Sequence, residues 1–138
     1  MHILLGKGNG TFTPKDAIPV SNGTSTLVIA DFNADGKADV AIAGVNLGVS
    51  VFLGNGNGTF QPELVSSSSL PVVGSLVAAD FNLDGKISLA LLSQNSVSFL
   101  AGDGDGTFQE AQIFPAARRF VPQFFHRAAT RHQARFPA

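Results

Sequence analysis

Gly54-Asn55-Gly56-Asn57-Gly58-Thr59-Phe60 occurs in this chain three times in closely related form. The other copies are Gly6-Lys7-Gly8-Asn9-Gly10-Thr11-Phe12 and Gly102-Asp103-Gly104-Asp105-Gly106-Thr107-Phe108, each 48 residues from the next. A second motif, Asp31-Phe32-Asn33-Ala34-Asp35-Gly36-Lys37-Ala38-Asp39, returns 49 residues later as Asp80-Phe81-Asn82-Leu83-Asp84-Gly85-Lys86-Ile87-Ser88. Two motifs interleaved at one period mark an internal repeat.

The segments around these motifs are short and rich in Val, Ile, Leu and Phe, and they are bounded by Gly, Asn, Asp and Pro. That pattern predicts strands over residues 26–30, 38–45, 49–53 and 60–65 in one unit, and over 76–79, 87–93, 96–101 and 108–114 in the next. No segment keeps a helical period over the ~10–12 residues a helix needs. Four short strands per repeat is the pattern of a β-propeller blade. The fold class read from the sequence is therefore all-β, an incomplete β-propeller. Residues 1–20 supply the second half of one blade, 21–66 a full repeat and 67–114 another, about two and a half blades in all. Closed propellers use ~4–8 blades. The arithmetic predicts a fragment of a longer propeller, or, less favoured, a chain that closes by self-association through its open blade edges.

Composition excludes several classes. The 138 residues include no cysteine, so a disulfide scaffold, a thiolate zinc site and a cysteine nucleophile drop out. No apolar run approaches the ~18–20 residues needed for a membrane span, and the opening Met1–Gly6 is too short for the core of a signal peptide. The net charge of −1 conceals a division. Residues 1–114 carry four lysines against ten acids, whereas residues 115–138 carry five arginines and no acid.

The acidic motif has the spacing of a calcium loop. Asp31, Asn33, Asp35 and Asp39 occupy positions 1, 3, 5 and 9, Gly36 allows the sharp turn at position 6, and the Lys37 carbonyl stands at position 7. Hard oxygen donors in this number suit Ca²⁺, which takes ~6–8 of them, better than the stricter octahedron of Mg²⁺. An EF-hand would need a glutamate at position 12, where Ile42 and Leu91 stand, followed by a helix rather than a strand. The competing reading is an Asp/Asn/Gly hairpin turn that serves only the backbone. The recurrence and the acid at position 9 favour metal at the first loop. The second loop keeps Asp80, Asn82, Asp84 and the Lys86 carbonyl but has Ser88 at position 9, which makes it the weaker site.

The glycine motifs lead into strand-like segments. A phosphate-binding loop would instead open a helix. Glycines at positive φ in hairpin turns explain them better, and Phe12, Phe60 and Phe108 are expected in the core between blades. Asp103 and Asp105 add at most a weak cation contact.

Asp-Phe-Asn-x-Asp-Gly-Lys at 31–37 and 80–86, with Leu-Gly-Asn-Gly-Asn-Gly-Thr-Phe at 53–60, resembles the FG-GAP/VCBS repeat family. That family builds calcium-binding propellers of the integrin α-subunit type, and the resemblance covers residues 1–114. It implies that Asp31, Asn33, Asp35, the Lys37 carbonyl and Asp39 ligate Ca²⁺ in one blade, and Asp80, Asn82, Asp84 and the Lys86 carbonyl in the next. It also implies a secreted or cell-surface protein, engaged in adhesion or accompanying a catalytic domain.

Residues 3–114 contain no His, Tyr, Arg or Cys, so no general base of the usual kind is present and the chain is expected not to be an enzyme. The expected partner is an extracellular protein or glycan. A non-catalytic part of a propeller-bearing polysaccharide lyase or hydrolase is the alternative. His2 reads as a surface strand residue. Past Pro115 every repeat feature ends, and the arginines are interleaved with Phe120, Phe124, Phe125 and Phe136. This segment is expected to be an irregular, disordered or non-native tail. Nucleic-acid binding is not expected, since Pro122 interrupts any helix and the body is acidic.

Overall fold

The computed structural model describes residues 1–21, 23–44, 48–66 and 74–115. Those residues contain strands and no helix, in three open antiparallel sheets. A two-stranded sheet pairs β1 (Leu4–Gly6) with β2 (Phe12–Pro14). A four-stranded sheet follows with β3 (Thr24–Ala30), β4 (Asp39–Gly44), β5 (Gly48–Phe52) and β6 (Leu64–Ser66) in sequential order. A second contains β7 (Leu76–Ala79), β8 (Ser88–Leu92), β9 (Ser96–Leu100) and β10 (Gln112–Pro115). The architecture is that of a partial propeller of one half-blade and two blades. The expectations for the arginine-rich segment fall on residues 116–138, outside the described residues.

Alternation along the strands explains how the sheets stack. In the first full blade, all six residues of β4 and all five of β5 are buried, as a sheet covered on both faces requires. Val40, Ile42 and Phe52 point to one face, where Met1, Ile18, Val20 and Phe60 cover them. Ala41, Ala43, Val49 and Val51 point to the other and meet Leu76, Leu89, Leu91 and Leu100 of the next blade. Period-2 side-chain placement thus gives β4 and β5 a separate core on each face.

The expected strands are present with two differences. Residues 60–65 and 108–114 do not run as single strands: Phe60 and Phe108 form isolated bridges to Gly54 and Gly102, and regular pairing resumes only at Leu64 and Gln112. In the first case Pro62 has no N–H to give to the ladder. The second difference is Phe12. Phe108 packs on the core and Phe60 is partly buried, but Phe12 is 61% exposed because no described sheet lies on its outer side.

Candidate metal centre and the turn beneath it

Each acidic motif is the turn between a blade's first two strands, from Ala30 to Asp39 and from Ala79 to Ser88. The two turns share an unusual backbone. Ala34 and Leu83, at position 4, have φ of 58° and 60°, and Gly36 and Gly85 have φ of 79° and 85°. A left-handed conformation costs a non-glycine residue about 1–2 kcal/mol. Side-chain oxygens compensate by capping the exposed amides. Asp31 Oδ1 accepts the Asp35 amide at 3.1 Å and Oδ2 the Gly36 amide at 2.8 Å, while Asn33 Oδ1 accepts the same Asp35 amide at 3.2 Å. Asp35 Oδ1 accepts the Lys37 amide at 3.0 Å. In the second loop Asp80 likewise accepts the Asp84 and Gly85 amides, at 3.1 and 2.9 Å, and Asp84 accepts the Lys86 amide at 2.9 Å.

Asp31, Asn33 and Asp35 therefore converge over one turn, as do Asp80, Asn82 and Asp84. Their surroundings differ. The Lys37 ammonium bonds Asp35 Oδ2 at 2.9 Å, and this hydrogen bond is the main reason the Asp35 carboxyl titrates below its ordinary value of 3.8. Asp84 is also held below 3.8, chiefly by the Lys86 amide and then by the Asn82 side chain, whose Nδ2 donates to Asp84 Oδ2 at 2.9 Å.

Position 9 is built into the fold rather than onto the surface. Asp39 is fully buried; its Oδ2 accepts the Phe32 amide at 2.8 Å and its Oδ1 the Gly54 amide at 2.7 Å. Ser88, 1% exposed, holds the same place, and its Oγ accepts the Gly102 amide at 3.2 Å. Position 9 thus ties the acidic loop to the first glycine of the glycine motif, so the two motifs interleaved in sequence meet in space. A Cβ on Gly54 would lie 2.1 Å from the Ala38 carbonyl oxygen, and one on Gly102 2.1 Å from that of Ile87. Only glycine fits there.

The rest of the glycine motif is a turn locked by its own side chains, a role the sequence reading missed. Asn9, Asn57 and Asp105 each accept both the amide and the hydroxyl of the following threonine, the hydroxyl bond being 2.6 Å in all three copies. The Thr107 hydroxyl is the chief cause of the lowered carboxyl pKa of Asp105. The invariable pairing of Asn or Asp with Thr two residues on was the available signal.

A family model described as the FG-GAP-like repeat matches residues 1–42 and 31–91. The chain belongs to the FG-GAP-like repeat family. The two overlapping matches cover both acidic loops and the first two glycine turns. A search of the curated proteins finds no match.

The donors of the two FG-GAP-like loops are all oxygens, in exposed turns, which fits a hard cation better than a soft one. Asp31, Asn33 and Asp35 supply them in the first loop, with the Lys37 carbonyl following. The three acids of the first loop do not gather. Among the described residues no group of three or more His, Cys, Asp or Glu could share a metal ion, and Asp39 stands beneath the loop with both oxygens on amides.

Proposed function

We propose that this FG-GAP-like chain is a calcium-binding module of a secreted or cell-surface β-propeller, serving adhesion or the recognition of an extracellular protein or glycan rather than catalysis. The observation that carries the reading is the acidic loop built twice, with the same left-handed position 4 and the same capped amides. Such a turn spends backbone strain to bring oxygen donors together. Asp31, Asn33, Asp35 and the Lys37 carbonyl would hold the first ion; Asp80, Asn82, Asp84 and the Lys86 carbonyl would hold the second. Bound calcium supplies positive charge that draws the loop's oxygens together.

Asp39 braces the first loop by fixing its start at Phe32 and its neighbour at Gly54. Ser88 braces the second through one bond, and brings no charge. The first loop is therefore the stronger site. Extracellular modules of this kind bind calcium with dissociation constants of about 10⁻⁴–10⁻³ M, within reach of extracellular calcium.

Thermal melts followed by circular dichroism, first with chelator and then with millimolar calcium, test the reading. Calcium at about ten times its dissociation constant adds roughly 1.4 kcal/mol. A melting temperature roughly 5 °C higher is expected for a chain of this length. Asp35→Ala removes most of that rise. An unaltered calcium response in this variant would overturn the assignment of the first loop.

A further inference from the structure

The three glycine turns share one geometry but carry two chemistries at the residue before their last glycine. Asn9 and Asn57 stand there in the first two copies and Asp105 in the third. Asn9 Oδ1 accepts the Thr11 amide at 3.1 Å and the Thr11 hydroxyl at 2.6 Å. Asn57 Oδ1 accepts the same two groups of Thr59 at 3.0 and 2.6 Å. The Thr59 hydroxyl in turn accepts a bond from Asn55 Nδ2 at 2.9 Å, which commits its own proton to Asn57.

An asparagine followed by glycine carries its own nucleophile. The glycine nitrogen can close a five-membered ring on the side-chain carbonyl, with no Cβ in the way. Ring closure puts negative charge on the oxygen that was Oδ1, and two donors already aimed at that oxygen stabilise it as an oxyanion hole does. The nucleophile is available in the first two copies: among the described residues the Gly10 and Gly58 amides donate to no backbone acceptor, and both asparagines are exposed. In the third copy Gly106 is buried and its amide donates to the Phe32 carbonyl at 3.2 Å. Asn55, followed by Gly56, is an internal comparison within the same turn. Gly56 and Gly58 have φ of 81° and 83°, but Asn55 is held through its Nδ2, and among the described residues no donor holds its Oδ1. Asn22, which precedes Gly23, falls outside the described residues.

We propose that Asn9 and Asn57 are sites of spontaneous deamidation, favoured over Asn55 by the threonine two residues on, whose amide and hydroxyl stabilise the oxyanion of ring closure. The Gly58 nitrogen gives its proton to solvent and bonds Asn57 Cγ; the Cγ–Nδ2 bond breaks, and ammonia leaves with a proton from water. Water then opens the cyclic imide to aspartate or its β-linked isomer, with no oxidant or reductant. The aspartate product fits the turn, since Asp105 holds the Thr107 amide and hydroxyl at 2.9 and 2.6 Å. Each event adds one negative charge and gives an earlier turn the chemistry of the third. The reaction requires no metal and is independent of the calcium reading.

Tandem mass spectrometry of the full chain, kept folded in mildly alkaline buffer with chelator, tests the proposal by following the one-unit mass gain at each asparagine. Asn9 and Asn57 are expected to convert about three- to tenfold faster than Asn55, the range a net hydrogen bond supplies. In urea the turn is lost, and Asn55 and Asn57 are expected to react alike. Thr59→Val removes the hydroxyl donor from an exposed turn and is expected to slow Asn57 several-fold; Thr59→Ser restores the rate, and neither changes Asn9. An Asn55 that converts as fast as Asn57 in the folded chain overturns the proposal, and one that converts faster would mean that the two bonds hold the Asn57 side chain away from the Gly58 nitrogen. An Asn57 rate unchanged in Thr59→Val, or a preference for Asn57 that persists in urea, overturns it equally.

Discussion

Asp39 offers the sharpest test of how the two motifs hold each other. Its carboxylate is fully buried and accepts the Phe32 amide at 2.8 Å and the Gly54 amide at 2.7 Å. A hydrogen bond to a charged group contributes about 1.5–3 kcal/mol, and a buried amide left without a partner costs a similar amount. Asp39→Ala breaks both bonds and should cost about 3–5 kcal/mol, a large share of the ~5–15 kcal/mol of a typical domain. Asp39→Ser reproduces what the second blade already has, one hydroxyl bonded to one glycine amide, and should cost roughly half as much. Asp39→Asn keeps the shape but turns an NH₂ toward one of the two amides, so it should be worse than serine despite being closer in size. Urea denaturation of each variant in chelator measures these costs with calcium binding removed. Equal losses for serine and alanine, or an asparagine variant as stable as wild type, would refute the two-bond account of the brace.

Other perturbations follow the same geometry. Phe32→Ala, at a buried ring between the two full blades, should cost about 3–5 kcal/mol; Phe81→Ala, at the matching but half-exposed ring edge-on to Phe99, should cost less, about 1–2 kcal/mol. Similar losses in urea melts of the two would contradict the stacking direction. Gly54→Ala drives a Cβ to 2.1 Å from the Ala38 carbonyl oxygen and should cost more than Gly36→Ala, where the space is open and only a φ of +79° resists, at about 1–2 kcal/mol. Acidification in chelator should leave stability nearly flat down to about pH 5 and reduce it below about pH 4. Asp35, Asp84 and Asp105 sit below 3.8 in the folded chain. Glu63 is pushed up by burial but more strongly down, below 4.5, by its bonds from Ser21 and Ser50. Groups with lowered folded pKa stabilise above their unfolded values and lose that contribution as pH falls through the folded ones. A urea midpoint that rises on acidification would contradict the sign.

Much of this fold was legible because a repeat states itself twice. The recurrence of the Gly-x-Gly-x-Gly-Thr-Phe and Asp-Phe-Asn-x-Asp-Gly-Lys motifs located the turns, and the apolar segments between them located the strands to within about two residues, apart from the early starts expected for β6 and β10. The role of Asp39 was not legible. An acid at position 9 has the same spacing whether it faces an ion or two amides, and the difference depends on Gly54, fifteen residues away. The seating of Phe108 on Phe32 is likewise a contact between repeats, which no pattern within one repeat encodes. Nor did the spacing reveal that the Lys37 ammonium engages Asp35, since its carbonyl was the atom the loop pattern called for.

The central claim is that the acidic loops bind calcium, the first more tightly than the second. A calcium titration followed by ¹H–¹⁵N correlation spectra of the full chain tests it at single residues, because Gly36 and Gly85 donate their amides to Asp31 and Asp80 at the heart of each loop. The account predicts that Gly36 shifts and saturates with a dissociation constant of about 10⁻⁴–10⁻³ M, that Gly85 responds at higher concentration, and that magnesium moves both less. Gly36 and Gly85 signals that stay in place through tens of millimolar calcium, well above ~10⁻³ M, would contradict it and leave the loops as turns that serve the backbone alone.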